Sequence, residues 1–383
     1  MRPPVPNRML RLMAFRVIIA GGGVAGIESA LALHALAPEL VSIQLVSPKP
    51  EFAYRPLVVS EPFGRGHVQM VDLHAIARDT GAELRIAGLA GVDAARSLAR
   101  LDDGTTLEYD ALVLACGTRL VPAVPGALTF AGVGEVEDYR RLLGEIDAGE
   151  VESVGFVVPH GVVWPLPLYE LALMTARRPA TQRASLAIAT PEEAPLDVLG
   201  PAAARAVLEL LAEHSIALRT AVLPVGVHDR RLALAPEGEI AADRFVALPE
   251  QRGIEIDGVP HLPGGFIPVD DHGRVEDLPN VFAAGDITSH LVKQGGIAAQ
   301  QADAVAEVIA AEAGAAILPE PFRPVLRSVL LTGNGPRYLS SRLGSAGEIS
   351  SVATTQPFWS PADKIAAPFL APYLARRIEG ALR

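Results

Sequence analysis

Cysteine is almost absent: the 383 residues contain one, Cys116. A single thiol builds no disulfide, no Cys-x-x-Cys redox pair and no zinc–thiolate site within one chain. Positive charge is also scarce, with 33 Lys and Arg against 44 Asp and Glu and a net charge of -11. Nucleic acid is therefore not an expected partner, because phosphate binding draws on clustered basic side chains. No apolar run reads as a transmembrane helix. The longest uncharged stretch, residues 153–169, is interrupted by Pro159, Gly161, Pro165 and Pro167. Nine histidines show no ligand spacing such as H-E-x-x-H, so no metal is expected. There is no G-x-S-x-G nucleophile turn. Residues 1–14 are basic but hold too short an apolar segment for secretion. They are expected to be a disordered lead-in, and the location to be cytoplasmic.

What remains is 50% hydrophobic and 20% charged, a well-cored globular chain with room for two to three domains. Its organising stretch runs from Phe15 into the second apolar run ending at Val46. Phe15-Arg16-Val17-Ile18-Ile19-Ala20 is apolar and β-branched, as a strand buried on both faces requires. Gly21-Gly22-Gly23-Val24-Ala25-Gly26 follows, and then helix formers at helical spacing. A G-x-G-x-x-G between strand and helix is a dinucleotide fingerprint. Gly21 allows the tight turn, Gly23 lets a pyrophosphate approach the backbone, and Gly26 lets helix and strand close up. The helix end, with Val24 and Ala25 in its first turn, offers free N–H groups to phosphate.

Further along, Ser47 stands where many such folds place an acid for the ribose; it is either a ribose ligand or the start of a turn before Pro48. Arg55, in the stiff Tyr54-Arg55-Pro56 loop, either faces the ligand or is a solvated arginine. A helix is expected near residues 71–77, and a hairpin around Asp102-Asp103-Gly104. The apolar run ending in Ala115, Cys116, Gly117 and Thr118 looks like a second turn made of small residues. Cys116 there reads as a buried filler rather than a catalytic thiol. A later strand and helix flank Pro159-His160-Gly161-Val162-Val163-Trp164-Pro165-Leu166-Pro167, a βα turn without its glycines. The strand at residues 244–249 is expected to return the chain to the first domain. A proline-marked break at residues 319–324 starts a C-terminal piece.

Three motifs occur in one order: residues 21–26, 112–118 and 281–286. Together they resemble the FAD-binding pattern of the pyridine nucleotide-disulfide oxidoreductase superfamily. The branch they resemble contains sulfide:quinone reductase, flavocytochrome c sulfide dehydrogenase and type II NADH dehydrogenase. The resemblance implies an α/β fold of two Rossmann-like domains, the second inserted in the first, with a small C-terminal α+β segment. The FAD-binding domain would comprise residues 15–125 and 245–318, the NAD(P)-binding-like domain residues 126–244, and the interface segment residues 319–383. Gly285 and Asp286 would bind the ribityl or phosphate region of FAD. Gly295, Gly296 and Ile297 would present a helix N-terminus to the flavin, where it stabilises negative charge. Lys293 would add a full charge, against the alternative of a solvated lysine. Glu170 would relay protons, against the alternative of a residue simply favoured by the helix dipole.

The departures shape the expected activity. With Cys116 alone, the paired-cysteine sulfide mechanism is rejected. Prolines and Trp164 at the second turn make an ordinary NAD(P)H site doubtful. The expectation is an FAD oxidoreductase passing electrons to a quinone or small carrier. Two alternatives stand beside it: an NAD(P)H dehydrogenase with an unconventional site, and a flavin-binding assembly protein without turnover. The aromatic and basic tail leaves peripheral contact with the inner face of the membrane, a flap, or a homodimer contact as its expected roles.

Overall fold

The structure is a computed structural model that describes residues 14–343 and 349–381. The expected lead-in falls almost wholly outside the described residues.

Two parallel five-stranded sheets carry the architecture. The first has the order Val281–Ala283, Ala111–Leu114, Phe15–Ala20, Val41–Ser47, Glu83–Ile86. Its central strands are apolar because both faces are covered, one by the helices Val24–Leu36 and Gly295–Glu312 and the other by residues such as Val92, Ala99 and Leu101. Ile19, Leu45, Val113 and Phe282 have no exposed surface. Each such side chain contributes about 1.5–3 kcal/mol by leaving water. The second sheet runs Leu128–Thr129, Arg244–Ala247, Ser153–Val157, Ser185–Ala189, Ala217–Arg219. Each parallel sheet is accompanied by a three-stranded antiparallel meander: Leu89–Asp93, Leu98–Leu101 and Thr106–Glu108 in the first half, Leu223–His228, Arg231–Ala235 and Glu239–Ala241 in the second. The expected hairpin at Asp102-Asp103-Gly104 is the turn between two of these strands.

One expectation is corrected by the pairing. The strand Arg244–Ala247 does not open the return to the first sheet. It hydrogen-bonds to Ser153–Val157 in the second sheet, and a boundary at residue 245 would cut it. The chain crosses instead through Arg119–Val121 and Glu250–Arg252, which pair antiparallel with one another. The apolar run at 245–248 looked the same for either sheet, and only the register assigns it.

The C-terminal segment is α+β. Val325–Leu331, Pro336–Leu343 and Ile349–Thr354 form an antiparallel sheet, and Leu370–Ala381 is a helix. The tail prolines do not prevent this helix. Pro368 precedes it, and Pro372 lies in its first turn, where a missing N–H breaks no intrahelical bond.

The helix after the glycine turn, Val24–Leu36, packs against Gly295–Glu312. Ala25, Ala30 and Ala32 on the first share a core with Ala298, Ala299, Ala302 and Ala306 on the second. Small side chains on both sides let the two helices approach closely. Glu28 sits inside this alanine-lined contact with no exposed surface.

Candidate functional site

The glycine turn is built as its spacing requires. Gly21 has φ +131°, and a Cβ there would lie 2.1 Å from the Ala115 carbonyl oxygen. A Cβ on Gly26 would lie 1.8 Å from the Gly21 carbonyl oxygen. Gly22, to which the sequence reading gave no role, is equally constrained: its Cβ would meet Leu73 Cδ1 at 2.5 Å and Ser47 Oγ at 2.8 Å. Gly23 differs from all three. Nothing lies within 4 Å of where its Cβ would be. Three glycines are there for the fold, and the fourth faces open space.

That space is a cavity of about 750 Å³, within the range of cofactor sites. Its wall includes Gly21, Gly23, Val24, Ala25, Ser47, Arg55, Ala115, Gly117 and Thr118. Gly285, Asp286, Gly295, Lys293 and Glu170 complete the expected set on the same wall. Three expected residues are not there: Gly26, which packs against the Gly21 carbonyl, Gly296 and Ile297. Gly296 is buried, and its carbonyl accepts a hydrogen bond from Gln300 at 2.8 Å. Ile297 points into the core, and its N–H donates to Gln294 Oε1 at 2.9 Å. The Gln294 side chain caps this helix, and Gln294, Gly295 and Ala298 bring the helix end to the cavity. His160 is exposed and is not part of the wall.

Individual side chains are tied in different ways. Ser47 Oγ donates to the Lys49 carbonyl at 2.8 Å and accepts its N–H at 3.3 Å. The turn reading is therefore realised, and only a lone pair of Ser47 remains for a ligand. Cys116 Sγ donates to the Ala20 carbonyl at 3.3 Å, and burial pushes the thiol up to about 12. Such a thiol is no nucleophile near neutral pH. Asp286 follows Gly285, whose N–H donates to the buried Gln301 Oε1 at 2.8 Å. Among the described residues, the one hydrogen bond to the Asp286 carboxylate is a long one of 3.5 Å from Gln251 Nε2. Enclosure raises its pKa, while Lys293 and Arg55 oppose the rise. An under-used carboxylate on a cavity wall suits a hydroxyl-bearing ligand. Lys293 lies 4.1 Å from the Phe266 ring centroid, and its ammonium donates to the Thr288 carbonyl. Desolvation lowers its pKa to about 8 against the pull of Asp286, so it is not a solvated lysine.

At the other end, Glu170 is wholly buried in the helix Leu166–Ala176. It accepts the Leu331 N–H at 2.8 Å and pairs with Lys364. Burial raises its pKa, and Lys364 opposes the rise. Sequence reasoning missed Lys364, which lies in the tail, far from any motif. One signal was available. The chain has three lysines, Lys49, Lys293 and Lys364, and all three line the cavity.

The second turn is rebuilt. Trp164 lines the cavity and packs on the core, and the helix behind it starts after Pro165 with no side-chain cap. Just past Ser185–Ala189, where a dinucleotide fold places its ribose-binding acid, stands Glu192. Its carboxylate accepts the Tyr169 hydroxyl at 2.7 Å and the Thr190 hydroxyl at 2.9 Å. Tyr169 is fully buried. The acid is spent inside the fold.

The sequence pattern of the pyridine nucleotide-disulphide oxidoreductases matches residues 15–159 and 169–304. The chain belongs to this family. The gap in the match covers the turn that carries Trp164. Membership makes the protein an oxidoreductase with an FAD-type dinucleotide-binding fold, and one without the cysteine pair of sulfide oxidation.

Among curated relatives, the ferredoxin reductase component of chlorobenzene dioxygenase from Cupriavidus sp. is 32% identical over 80% of this chain and 75% of its own. An NADH dehydrogenase-like protein of Mycobacterium tuberculosis is 27% identical over 72% of this chain and 73% of its own. Sulfide-quinone reductase of Aquifex aeolicus is 29% identical over 42% of this chain, a stretch spanning 39% of that protein. The solved structure of the Aquifex aeolicus sulfide:quinone oxidoreductase superposes with a TM-score of 0.79 at 21% identity, covering 89% of this chain and 87% of the other. That of Plasmodium falciparum NDH2 with NADH gives 0.58 at 15%, covering 72% and 64%.

Proposed function

We propose that the cavity holds FAD and that the protein moves electrons from a small-molecule donor to a quinone or small carrier. The observation that carries this reading is the cavity itself, which runs from the open face of Gly23 to the Glu170–Lys364 pair. Bound FAD would supply the redox chemistry. The pyrophosphate would lie against Gly21, Gly23, Val24 and Ala25, near Ala115, Gly117 and Thr118. Asp286 would take a ribityl hydroxyl, with Arg55 and Gly285 beside it. Lys293 and the helix end at Gly295 would favour added negative charge. Glu170, with Lys364 as its charge partner, would hold or release a proton for the acceptor.

The relatives' names offer three partners: quinone, ferredoxin and NADH. The Tyr169–Glu192 bond and the missing glycines weigh against NADH. No helix among the described residues is long and apolar enough to cross a membrane. A quinone would thus be met by a cytoplasmic protein at the inner membrane surface, and liposome flotation tests that contact.

The deciding experiment is flavin identification on the purified protein, followed by anaerobic mixing with donors. The expected result is a yellow protein that retains FAD and is not bleached by millimolar NADH or NADPH. Rapid bleaching by either nucleotide would transfer the reading to an NAD(P)H dehydrogenase. A colourless protein that cannot be reconstituted would remove it altogether.

A further inference from the structure

The strand Val325–Leu331 turns Leu326, Ser328 and Leu330 to one face, because alternate side chains of a strand point the same way. Leu326 and Leu330 enter the core that also holds Val58, Val59 and Leu166, with Trp164 packed against it. Ser328 takes the position between them. It is 2% exposed and lines the cavity. Its hydroxyl forms no hydrogen bond among the described residues. A hydroxyl withdrawn from water without a partner costs free energy, and an apolar side chain at this position would avoid that cost. The hydroxyl is left over for something that enters the cavity.

The strand is held on both sides of Ser328. On one side Gln294 Nε2 donates to the Arg327 carbonyl at 3.0 Å. Gln300 accepts the Val325 N–H at 2.9 Å and donates to its carbonyl at 3.0 Å. Both glutamines belong to the helix end that meets the cavity at Gly295. On the other side the Leu331 N–H donates to Glu170 Oε1 at 2.8 Å. Three strand positions, about 10 Å, separate Ser328 from that bond. The ties set Ser328 between the helix end and the Glu170–Lys364 pair. Lys364 Nζ gives two hydrogen bonds to Glu170. An ammonium has three N–H groups, so one remains.

We propose that Ser328 seats the electron acceptor by donating a hydrogen bond to its carbonyl oxygen, and that the acceptor is a small quinone rather than a carrier protein. A side chain this enclosed is beyond the reach of another protein's surface. A quinone has an apolar ring and accepts hydrogen bonds at its carbonyl oxygens. Leucines beside Ser328 suit the ring, and the Ser328 hydroxyl and the spare Lys364 N–H suit the oxygens. Reduction of the quinone to its quinol takes two electrons and two protons. The electrons and one proton leave the anionic reduced flavin, which returns to its oxidised form, and the second proton comes from water through Glu170. The inference rests on the proposed function for the flavin and goes beyond it in choosing the acceptor and the residue that selects it.

The test needs no natural donor. Holoprotein reduced anaerobically with stoichiometric dithionite is mixed with a short-chain benzoquinone, and flavin absorbance follows reoxidation. Ferricyanide, which has no carbonyl, serves as the control oxidant. Ser328→Ala should raise the quinone concentration that gives half the limiting rate by about three- to tenfold, the worth of one neutral hydrogen bond. The limiting rate, the reaction with ferricyanide, the flavin content and the midpoint potential should stay as in wild type. The variant should melt at or above the wild-type temperature, because the hydroxyl it removes has no partner in the fold. Equal half-saturation in the two proteins would overturn the inference. A clear loss of stability would do the same, by showing that the hydroxyl serves the fold. A shifted midpoint with unshifted half-saturation would put the hydroxyl on the flavin instead. Wild type that holds FAD and reacts with ferricyanide but not with the quinone refutes the choice of acceptor and leaves the flavin in place. Wild type without flavin removes the proposed function itself.

Discussion

Lys364 Nζ lies 2.7 Å from Oε1 and 2.8 Å from Oε2 of Glu170, a residue 194 positions earlier in the chain. Both side chains are enclosed, at 8% and 0% exposure. A pair this deep gains little net stability over an apolar pair of similar size, yet losing one member is costly. Lys364→Met should therefore destabilise the protein by about 3–5 kcal/mol in urea melts at pH 7. Stranded Glu170 then has a pKa raised further, so the loss should shrink as pH falls toward 5. The double variant Lys364→Met with Glu170→Leu should regain most of the stability. In the proposed reaction, Glu170→Gln should lower turnover by about 10²-fold with flavin content unchanged.

The glycines separate folding from binding. Gly26→Ala would place a methyl group 1.8 Å from a backbone oxygen, so it should fail to fold or lose well over 3 kcal/mol. Gly23→Ala meets nothing within 4 Å. It should melt within about 0.5 kcal/mol of wild type and yet be purified without FAD. Thermal melts and the flavin-to-protein absorbance ratio check both. A Gly23→Ala protein that stays yellow would show that the open face does not contact the cofactor.

Lys293 offers a reading of potential. Removing a half-buried cation beside the cavity should disfavour the reduced, more negative state. Lys293→Met should lower the two-electron midpoint by about 30–60 mV, where 30 mV corresponds to about 1.4 kcal/mol. Equilibration with a reference dye measures it. With a pKa near 8 in the folded protein against 10.5 in the free side chain, the unfolded chain binds more protons between these values. Without cofactor, stability should rise over that window and lose this slope in Lys293→Met.

Much of the first half was legible because its chemistry is local. A strand, a tight turn and a helix within residues 15–36 constrain one another, and the glycine pattern follows from contacts a few residues apart. The degenerate second turn was legible for the same reason. Gln294 shows how a local reading still fails: the glycines after it suggested free N–H groups, while its own side chain consumes the one at Ile297. Arg244–Ala247 failed for another reason, since an apolar β-branched run does not say which of two parallel sheets it enters. Lys364 was invisible as a site residue because its partner, Glu170, is fixed only by tertiary structure.

The three lysines of the cavity wall have a practical corollary. Elsewhere the chain carries its positive charge as guanidinium, which acylating reagents leave alone. Apart from the N-terminal amine, every primary amine open to such a reagent borders the same chamber. A general amine label becomes, on this molecule, an affinity label. Coupling it to a resin or dye by ordinary amine chemistry would block the chamber that the experiment meant to observe.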